Sequence, residues 1–504
     1  MTARFSGINL YKYLQLHLAE KMAKMKCSST SRDVLVVLCL LTTLLVGVVS
    51  FHGCAGESPP PVNIVLIVMD TLRAQNMSLY GEASRTTPYL DDFSNNATVY
   101  NRSIASSPWT LTTHASMFTG LHPSEHGARI FQKSETEFPI AKLNDEFITL
   151  AEYLQKNGYE TAGFTTNVGF LNPVWGLNQG FEYWYNNRLT AEDLNERFVF
   201  PWLQRKEGAS AAGHSKPWFL FLNYMDTHEP YNTTPVRSYP DSLSNRNSRE
   251  VLESVRAPVM MRERPVPMKG LRLLEDQYNV AVANVDQAFG NLIDCLREAN
   301  LLDRTLIIIT SDHGEYFGEH DLITHWKELY QPVLWVPLIL KKPGQTAGMV
   351  SNEVISSVDI PWLIIENAGL SNPSDESGEL KRLPPGFLRQ PGNHEVISEI
   401  HFIGNNVIQS RPWGDRLKRE RIAQVEWPWK CIWSSDGDFE LYNLEADPQE
   451  EQNQIDNERV IANRMLDQID AYIAKIRDLP GEVNSPELTE SDLKKLRALG
   501  YVGD

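Results

Sequence analysis

The chain has 504 residues, of which 42% are hydrophobic and 22% charged, as in a globular protein that is too long for one compact core. The formal net charge is −17, so the basic surface that binds nucleic acid is missing, and we expect no nucleic-acid partner. Five cysteines, three of them within the first 54 residues, are too few for a disulfide scaffold or a cysteine-rich zinc site. For the other two, Cys295 and Cys431, we expect separate buried thiols rather than a disulfide.

The N-terminus carries an uncharged apolar run at residues 34–51, at the border between a signal peptide and a membrane-spanning helix. A basic cluster precedes this run, at Lys21, Lys24, Lys26 and Arg32, and no comparable cluster follows it, so the positive-inside rule predicts that the rest of the chain is exported. Cys54 follows a glycine, as at a lipoprotein cleavage site, and three outcomes stay open: acylation of Cys54, an uncleaved anchor, or full secretion. We expect a signal or anchor segment at residues 1–54 and a Pro-rich linker at residues 55–61. The protein would then be membrane-anchored and would face the periplasm or the cell exterior.

Beyond the linker, apolar runs alternate with helix-like segments. Runs that are apolar on both faces, as in central parallel strands, lie at residues 63–69, 218–224, 305–310 and 334–340. Residues 147–157 and 271–300 have apolar positions at helical spacing, and the alternation predicts an α/β domain with a mainly parallel sheet. Residues 237–269 are polar, Arg-rich and interrupted by prolines, and we expect a solvated surface loop there.

The pattern changes near the C-terminus. Two strand-like segments flank a turn at residues 434–438, which predicts a hairpin in a smaller antiparallel subdomain, followed by helices at residues 457–477 and 489–499. We therefore expect a large domain over residues 62–390 and a C-terminal subdomain over residues 391–504.

Three of the predicted strands end in polar residues: Asp70, the pair Asp226 and His228, and the pair Asp312 and His313. Because the carboxyl ends of parallel strands meet at one edge of a sheet, we expect these groups to converge. Two carboxylates and an imidazole, from Asp70, Asp312 and His313, suit one divalent cation with an open coordination position. Each residue alone is also common as a satisfied polar group at a strand end. Manganese, magnesium, calcium and zinc all fit this set.

Thr110 lies where a turn enters a predicted helix. Free N–H groups and the helix dipole favour an anion there, and a hydroxyl near a divalent cation loses its proton more easily. Thr110 is therefore a candidate nucleophile, and the alternative is a plain helix cap.

Several ordered motifs resemble those of the sulfatase-like family of the alkaline phosphatase superfamily. They lie at residues 70–73 (DTLR), 86–90 (TTPYL), 107–127 (SPWTLTTHASMFTGLHPSEHG), 226–231 (DTHEPY), 310–319 (TSDHGEYFGE), 325–337 (HWKELYQPVLWVP) and 440–447 (ELYNLEAD). The resemblance extends from about residue 62 to the end of the chain. It implies an alkaline-phosphatase-like large domain, with a mainly parallel sheet between helices, and a smaller antiparallel C-terminal subdomain. It also implies a metal-dependent hydrolase of ester bonds.

The resemblance also implies roles for other site residues. His228 and either His325 or Lys327 would contact the transferred group or protonate the leaving oxygen, for which imidazole is suited by its near-neutral pKa. Thr113 and His114 fall within the nucleophile motif and are candidate substrate-binding residues, although a packing role fits His114 equally well.

The nucleophile motif departs from that of true sulfatases, which have Cys or Ser, any residue, Pro, Ser and Arg where this chain has TLTTH at residues 110–114. A threonine does not fit their conversion of Cys or Ser to formylglycine, so we expect none and favour hydrolysis or transfer of a phosphate mono- or diester. Two alternatives are a sulfuric ester hydrolase and an inactive surface binding protein, the second favoured by Thr71 where sulfatases have a second Asp. The expected substrate is a small molecule, or a glycan or lipid ester.

Overall fold

The computed structural model describes residues 62–81, 86–131, 139–211, 216–231, 246–325, 327–370, 389–392, 394–401, 412–477 and 484–498. The predicted signal or anchor segment and the linker lie outside these ranges. Among the residues described, no helix is both long enough and apolar enough to cross a membrane.

The described residues contain fourteen strands in three sheets. The strands are β1 (Asn63–Met69), β2 (Thr98–Ile104), β3 (Glu160–Thr165), β4 (Tyr183–Asn186), β5 (Trp218–Tyr224), β6 (Thr305–Thr310), β7 (Tyr316–Phe317), β8 (Ile323–Thr324), β9 (Leu338–Lys341), β10 (Met349–Ser356), β11 (Val396–Ile400), β12 (Arg421–Glu426), β13 (Trp429–Ser434) and β14 (Phe439–Asn443). The helices are α1 (Pro88–Ser94), α2 (Thr110–Thr119), α3 (Pro123–His126), α4 (Leu150–Lys156), α5 (Ala191–Leu194), α6 (Phe200–Ala211), α7 (Ser248–Met260), α8 (Met268–Glu298), α9 (Gln331–Leu334), α10 (Ile360–Asn367), α11 (Arg459–Arg477) and α12 (Glu490–Ala498).

The largest sheet has eight strands in the order β10-β2-β9-β6-β1-β5-β3-β4. All neighbours in it are parallel except β9, which runs antiparallel to both β2 and β6. Strand β1 lies at its centre, and all seven of its residues are buried. Alternate residues of β1 pack into separate hydrophobic clusters, with Val65 on one face and Leu66 on the other. Apolar layers on both faces explain why this strand reads as one unbroken hydrophobic run. The predicted mainly parallel α/β fold is confirmed.

The fourth apolar run differs from the prediction. Residues 334–340 do not form one strand, because α9 ends at Leu334 and β9 begins only at Leu338. Pro332 and Pro337 explain the difference, since proline starts helical turns readily and cannot donate to a strand ladder.

The smaller C-terminal sheet is antiparallel, in the order β11-β12-β13-β14. The predicted hairpin about residues 434–438 is present as β13 and β14, but the segment before it forms two strands joined at Trp427 and Pro428. One face of this sheet packs on α11, and the other joins the core of the large domain. The boundary between residues 390 and 391 stays a prediction. Cys295 and Cys431 are free thiols, as expected; Cys431 is buried, whereas Cys295 is only half-buried.

The prediction of a solvated loop at residues 237–269 is wrong for its described part, residues 246–269. Helix α7 occupies 13 residues of it, and a side chain of Asn247 caps its first turn by accepting from Glu250 N at 3.0 Å. Val251, Val255 and Val259 form a buried stripe that packs on α8. Charges and prolines hid this helical spacing of apolar residues in the sequence.

We expect Gly270→Ala to show that α7 is docked on α8. A Cβ at Gly270 would lie 2.4 Å from Val255 Cγ1, so the substitution destabilises the protein by overpacking, by about 1–3 kcal/mol before helix propensity offsets part of it. In a Val255→Ala background the clash disappears, and the same substitution stabilises the helix by up to about 1 kcal/mol. Urea unfolding of the four proteins of this double-mutant cycle measures the coupling. An identical stabilising effect in both backgrounds would contradict the docked helix.

Candidate functional site

The adjacent parallel strands β1 and β6 bring three predicted site residues together. Asp70 follows β1, while Asp312 and His313 follow β6, and one potential ligand atom of each lies within 4.8 Å of the others. All three side chains are fully buried. The structure therefore places the predicted metal ligands in one cluster at the carboxyl edge of the sheet.

In each of the two carboxylates, one oxygen accepts hydrogen bonds and the other has no donor among the described residues. Asp70 Oδ2 accepts from Asn167 Nδ2 at 2.9 Å and Asn223 Nδ2 at 3.2 Å, whereas Asp70 Oδ1 is buried without a hydrogen-bond partner among the described residues. Asp312 Oδ1 accepts from the backbone N–H groups of Thr71 at 3.1 Å and His313 at 3.0 Å, and Asp312 Oδ2 is likewise left over. An unpaired buried anionic oxygen is costly, so the two carboxylates fit a bound cation.

The ring of His313 is oriented to complete the cluster. Its Nδ1 donates to Gly314 O at 3.0 Å, and because a carbonyl can only accept, the neutral ring carries its lone pair on Nε2. His313 Nε2 lies 3.5 Å from Asp312 Oδ2 and 3.4 Å from Thr110 Oγ1. An imidazole fixed through its other nitrogen is a typical arrangement for a metal ligand.

The two carboxylates influence each other's ionisation. Burial and the nearby Asp312 raise the pKa of Asp70. Burial also opposes ionisation of Asp312, but His313 and His114 outweigh it and lower the pKa of that carboxyl. A divalent cation would favour the ionised form of both. The donor set and the two orphan oxygens therefore fit one divalent metal ion.

Thr71 occupies the place of the second aspartate of true sulfatases, and its contacts account for the departure. Its backbone has a φ of 60°, in the left-handed region, which aims its N–H at Asp312. Its hydroxyl donates to Thr227 O at 2.7 Å, and the Thr227 hydroxyl donates to Asp70 O. Thr71 thus ties the ends of β1 and β5 together instead of supplying a carboxylate.

Thr110 is the first residue of α2 and is fully buried, with its hydroxyl beside His313 as described above.

The two candidate substrate-binding residues make contacts inside the protein. The Thr113 hydroxyl donates to the backbone carbonyl of Ser107 at 2.7 Å. His114 Nδ1 donates to Thr110 O at 2.8 Å and lies 3.7 Å from Asp312 Oδ2. The His114 ring also contacts the edges of two phenylalanines, which is a packing role. Substrate contact by Thr113 or His114 stays a prediction.

The other predicted site residues also converge here. The ring centroid of His325 lies 4.5 Å from that of His313 and 4.9 Å from that of His228. His228 Nδ1 donates to Glu229 O at 2.6 Å, and His325 Nδ1 lies 3.2 Å from Glu315 Oε1. Burial, followed by the neighbouring histidines, holds the pKa of His325 well below its usual value.

Lys327 is buried next to this group of imidazoles. Its Nζ donates to Ile323 O at 2.8 Å, to His325 O at 2.9 Å and to the Thr324 hydroxyl. Burial and the nearby Arg256 lower the pKa of Lys327 to about 7. These hydrogen bonds lie within its own loop, so Lys327 shapes the loop that presents His325.

Sequence reasoning missed the residues that orient the ligands. Asn167 follows β3 and Asn223 is a polar residue inside the apolar strand β5, a local exception that could have been noticed. Glu315 and Tyr231 were also missed: the Tyr231 hydroxyl donates to Glu315 Oε2 at 3.1 Å, beneath His325. Glu315 and Tyr231 lie within two of the family motifs given above, but the sequence pattern does not show which residues of a motif face the site.

The family model described as Sulfatase matches residues 62–370, which is more than half of the chain. The chain belongs to the sulfatase family. This sulfatase-family protein is therefore a hydrolase of ester bonds in the alkaline phosphatase superfamily, a metal-dependent group.

Individual relatives of this sulfatase-family protein are distant. Arylsulfatase K of Xenopus laevis is 21% identical over 479 residues, which cover 86% of this chain and 84% of the relative. The phosphonate monoester hydrolase of Agrobacterium radiobacter is 20% identical, with a TM-score of 0.56 over 85% of this chain and 98% of the other. A structure solved with its substrate D-glucosamine-2-N,6-O-disulfate is 19% identical, with a TM-score of 0.59 over 85% and 100% of the two chains. These likenesses show the alkaline-phosphatase-like fold.

We expect Asp312→Ala to abolish both bound metal and turnover, because it removes a charged ligand. Asn167→Ala leaves all three ligands but frees Asp70 to rotate, so it lowers metal affinity about 10–100-fold. Metal content by elemental analysis and metal titration of the chelated protein measure both effects. Asn279→Ala, which removes a hydrogen bond with Asn76 and touches none of the three ligands, is the matched control. Full metal content and activity in Asp312→Ala would place the site elsewhere.

Proposed function

We propose that this sulfatase-family protein hydrolyses phosphate mono- or diesters, or transfers their phosphoryl group, with unmodified Thr110 as the direct nucleophile. The observation that carries the proposal is the position of the Thr110 hydroxyl, buried at the start of α2 and 3.4 Å from His313 Nε2. A helix start favours an anionic group, so the same position suits a substrate phosphoryl group.

Threonine distinguishes this proposal from sulfatase chemistry. In true sulfatases the oxidised Cys or Ser becomes an aldehyde, whose hydrate attacks and can later expel sulfate. Oxidation of Thr110 would give a ketone, which hydrates far less readily. Direct attack through Oγ1 suits phosphorus, because water can attack phosphorus again to release the intermediate.

The residues present divide the reaction into two displacements. A cation held by Asp70, Asp312 and His313 would lower the pKa of a nearby hydroxyl and stabilise developing negative charge. The Thr110 oxygen, having lost its proton to solvent, bonds to phosphorus, the bond to the leaving oxygen breaks, and that oxygen takes a proton from an imidazole. Water then bonds to phosphorus and gives a proton back to the imidazole, the bond between phosphorus and the Thr110 oxygen breaks, and that oxygen regains a proton from solvent.

His228 and His325 are the imidazoles placed to contact the transferred group or to give a proton to the leaving oxygen. Burial holds the pKa of His325 well below its usual value, so His325 becomes a proton donor when the negative charge of a bound substrate raises that pKa. Their rings lie side by side, with Nδ1 of His228 held by a backbone carbonyl and Nδ1 of His325 beside Glu315. These contacts fix the ring orientations. Lys327 is buried beside these rings, and in its protonated form it would attract the transferred anion.

A sulfuric ester is the alternative substrate, favoured by the arylsulfatase name of the relative described above and by the disulfated substrate of one structural neighbour. An inactive binding protein is less well supported. Thr71 was its main argument, and Thr71 makes contacts that leave the ligand cluster intact.

We also propose that the catalytic part is exported and tethered to a membrane through residues 1–54. The support is the apolar run at residues 34–51, which a cluster of basic residues precedes and no comparable cluster follows.

Protease added to intact cells should therefore digest the catalytic part, once any outer membrane has been permeabilised. The basic flank stays on the cytoplasmic side, so residues beyond 54 face the protease. Immunoblotting with an antibody against a C-terminal epitope follows the digestion, and a cytoplasmic marker enzyme is the control. Protection that persists until the inner membrane is lysed would reverse the orientation.

Thr110→Ala should lose at least about 1000-fold in kcat, because no other hydroxyl replaces the nucleophile, while Thr110→Ser keeps a hydroxyl and much of the rate. Kinetics on nitrophenyl phosphates, phosphodiesters and sulfates measure this. Thr119→Ala, which removes a buried hydroxyl at the other end of the same helix, is the matched control.

The mass of the peptide that carries residue 110 provides the second measurement, and we expect it to be unmodified in the wild-type protein. An oxidised Thr110, or an alanine variant as fast as the wild type on every ester, would refute direct attack by Thr110.

A further inference from the structure

The loop that carries His325 and Lys327 runs from β8 to α9, and its far side faces the C-terminal sheet. Glu328, next to Lys327 in sequence, is the first contact. Glu328 Oε1 pairs with Arg419 at 2.9 Å, and Glu328 Oε2 pairs with Arg421. Glu328 and Arg421 have relative exposures of 5% and 1% in their side chains, so this ion pair is withdrawn from water.

Arg421 extends the contact into the sheet. It is the first residue of β12, and its second guanidinium nitrogen pairs with Glu440 of β14. Glu440 Oε2 in turn accepts from the hydroxyls of Tyr330, in the loop, at 2.8 Å and of Tyr442, in the sheet, at 2.6 Å. One guanidinium therefore links two acidic groups and, through them, two points of the loop.

A second buried ion pair holds the end of the same loop. Lys430 and Glu450 are both fully buried, and Lys430 Nζ lies 2.6 Å from Glu450 Oε1. Glu450 Oε2 accepts from the backbone N–H of Gln331, the first residue of α9, at 2.5 Å. The loop is thus held at Glu328, Tyr330 and Gln331 by charged groups of the C-terminal subdomain.

Stability alone is a poor explanation for this arrangement. Desolvation largely offsets the attraction in a buried ion pair, and apolar residues of similar volume often serve stability as well or better. The ion pairs fix orientation, which apolar contacts do not. A planar guanidinium that bonds two carboxylates holds both of them at set positions in its own plane. The part of the loop that they fix lies within a few residues of His325.

We propose that Arg421, acting through Glu328, is a positioning residue that holds His325 and Lys327 at the reacting centre, so that the C-terminal sheet is part of the catalytic apparatus. This rests on the role given above to His325 and Lys327. Arg421 itself does not touch the substrate in this proposal; it sets where the proton donor lies relative to the leaving oxygen.

The test compares phenyl and 4-nitrophenyl esters of whichever acid, phosphoric or sulfuric, the wild-type protein hydrolyses. Arg421→Met keeps the apolar stem and removes the charge. A misplaced proton donor slows expulsion of the poorer leaving group most, so kcat on the phenyl ester falls about 100-fold and kcat on the 4-nitrophenyl ester falls less. KM and metal content stay close to the wild-type values. Arg421→Lys, which keeps the positive charge but lacks the planar fork that fixes both carboxylates, gives an intermediate loss.

Cys431→Ala is the matched control, because Cys431 is fully buried in the neighbouring strand of the same sheet and packs toward α11 rather than the loop. It lowers the melting temperature without changing the ratio of the two kcat values. Glu328→Gln breaks the same ion pair from the loop side and replaces Arg421→Met if that variant does not fold. An unchanged ratio in the ion-pair variants, or the same change in Cys431→Ala, would overturn the proposal. Failure of the proposed function is distinguishable, since it shows as an active Thr110→Ala variant.

Discussion

Two carboxylates, Asp70 and Asp312, are buried at the ends of adjacent strands, and one oxygen of each has no hydrogen-bond partner in the part of the chain that the structure describes. The site is arranged around these two oxygens. Burying such charges costs several kcal/mol per ion unless they are paired. Only one oxygen of each carboxylate is hydrogen-bonded by these neighbours. Asp70 Oδ2 accepts from the side-chain amides of Asn167 and Asn223, and Asp312 Oδ1 accepts from the backbone N–H of Thr71. Asp70 Oδ1 and Asp312 Oδ2, the two oxygens without such a partner, therefore fit a cation, and a cation bound there would place a positive charge near the Thr110 hydroxyl.

The central sheet and the metal ligands could be predicted because they depend on local sequence. An apolar run such as β1 must be buried on both faces, and the polar residue after such a run must lie at the sheet edge. Thr110 was predicted at a helix start because the surrounding segment reads as a turn followed by a helix. In the structure one ligand atom of each predicted metal ligand lies within 4.8 Å of the others, and the Thr110 hydroxyl lies 3.4 Å from His313 Nε2.

Other features depend on contacts between distant parts of the chain. Asn167 reaches Asp70 across 97 positions, and Arg421 reaches Glu328 across 93. No spacing rule shows that an Arg at the start of a C-terminal strand faces a loop of the active site. Helix α7 was missed for another reason, because prolines and charges within residues 237–269 outweighed its buried valines. In both cases tertiary packing decides a role that composition conceals.

The most direct test of the account is the position of the metal. Crystals soaked in manganese chloride, measured above the manganese absorption edge, give an anomalous difference map that locates the ion without assumptions about density. The account predicts a peak about 2.0–2.6 Å from Asp70 Oδ1, Asp312 Oδ2 and His313 Nε2. A map with no peak there, in crystals that bind manganese elsewhere, would contradict the claim that these buried carboxylates are held in place for a cation.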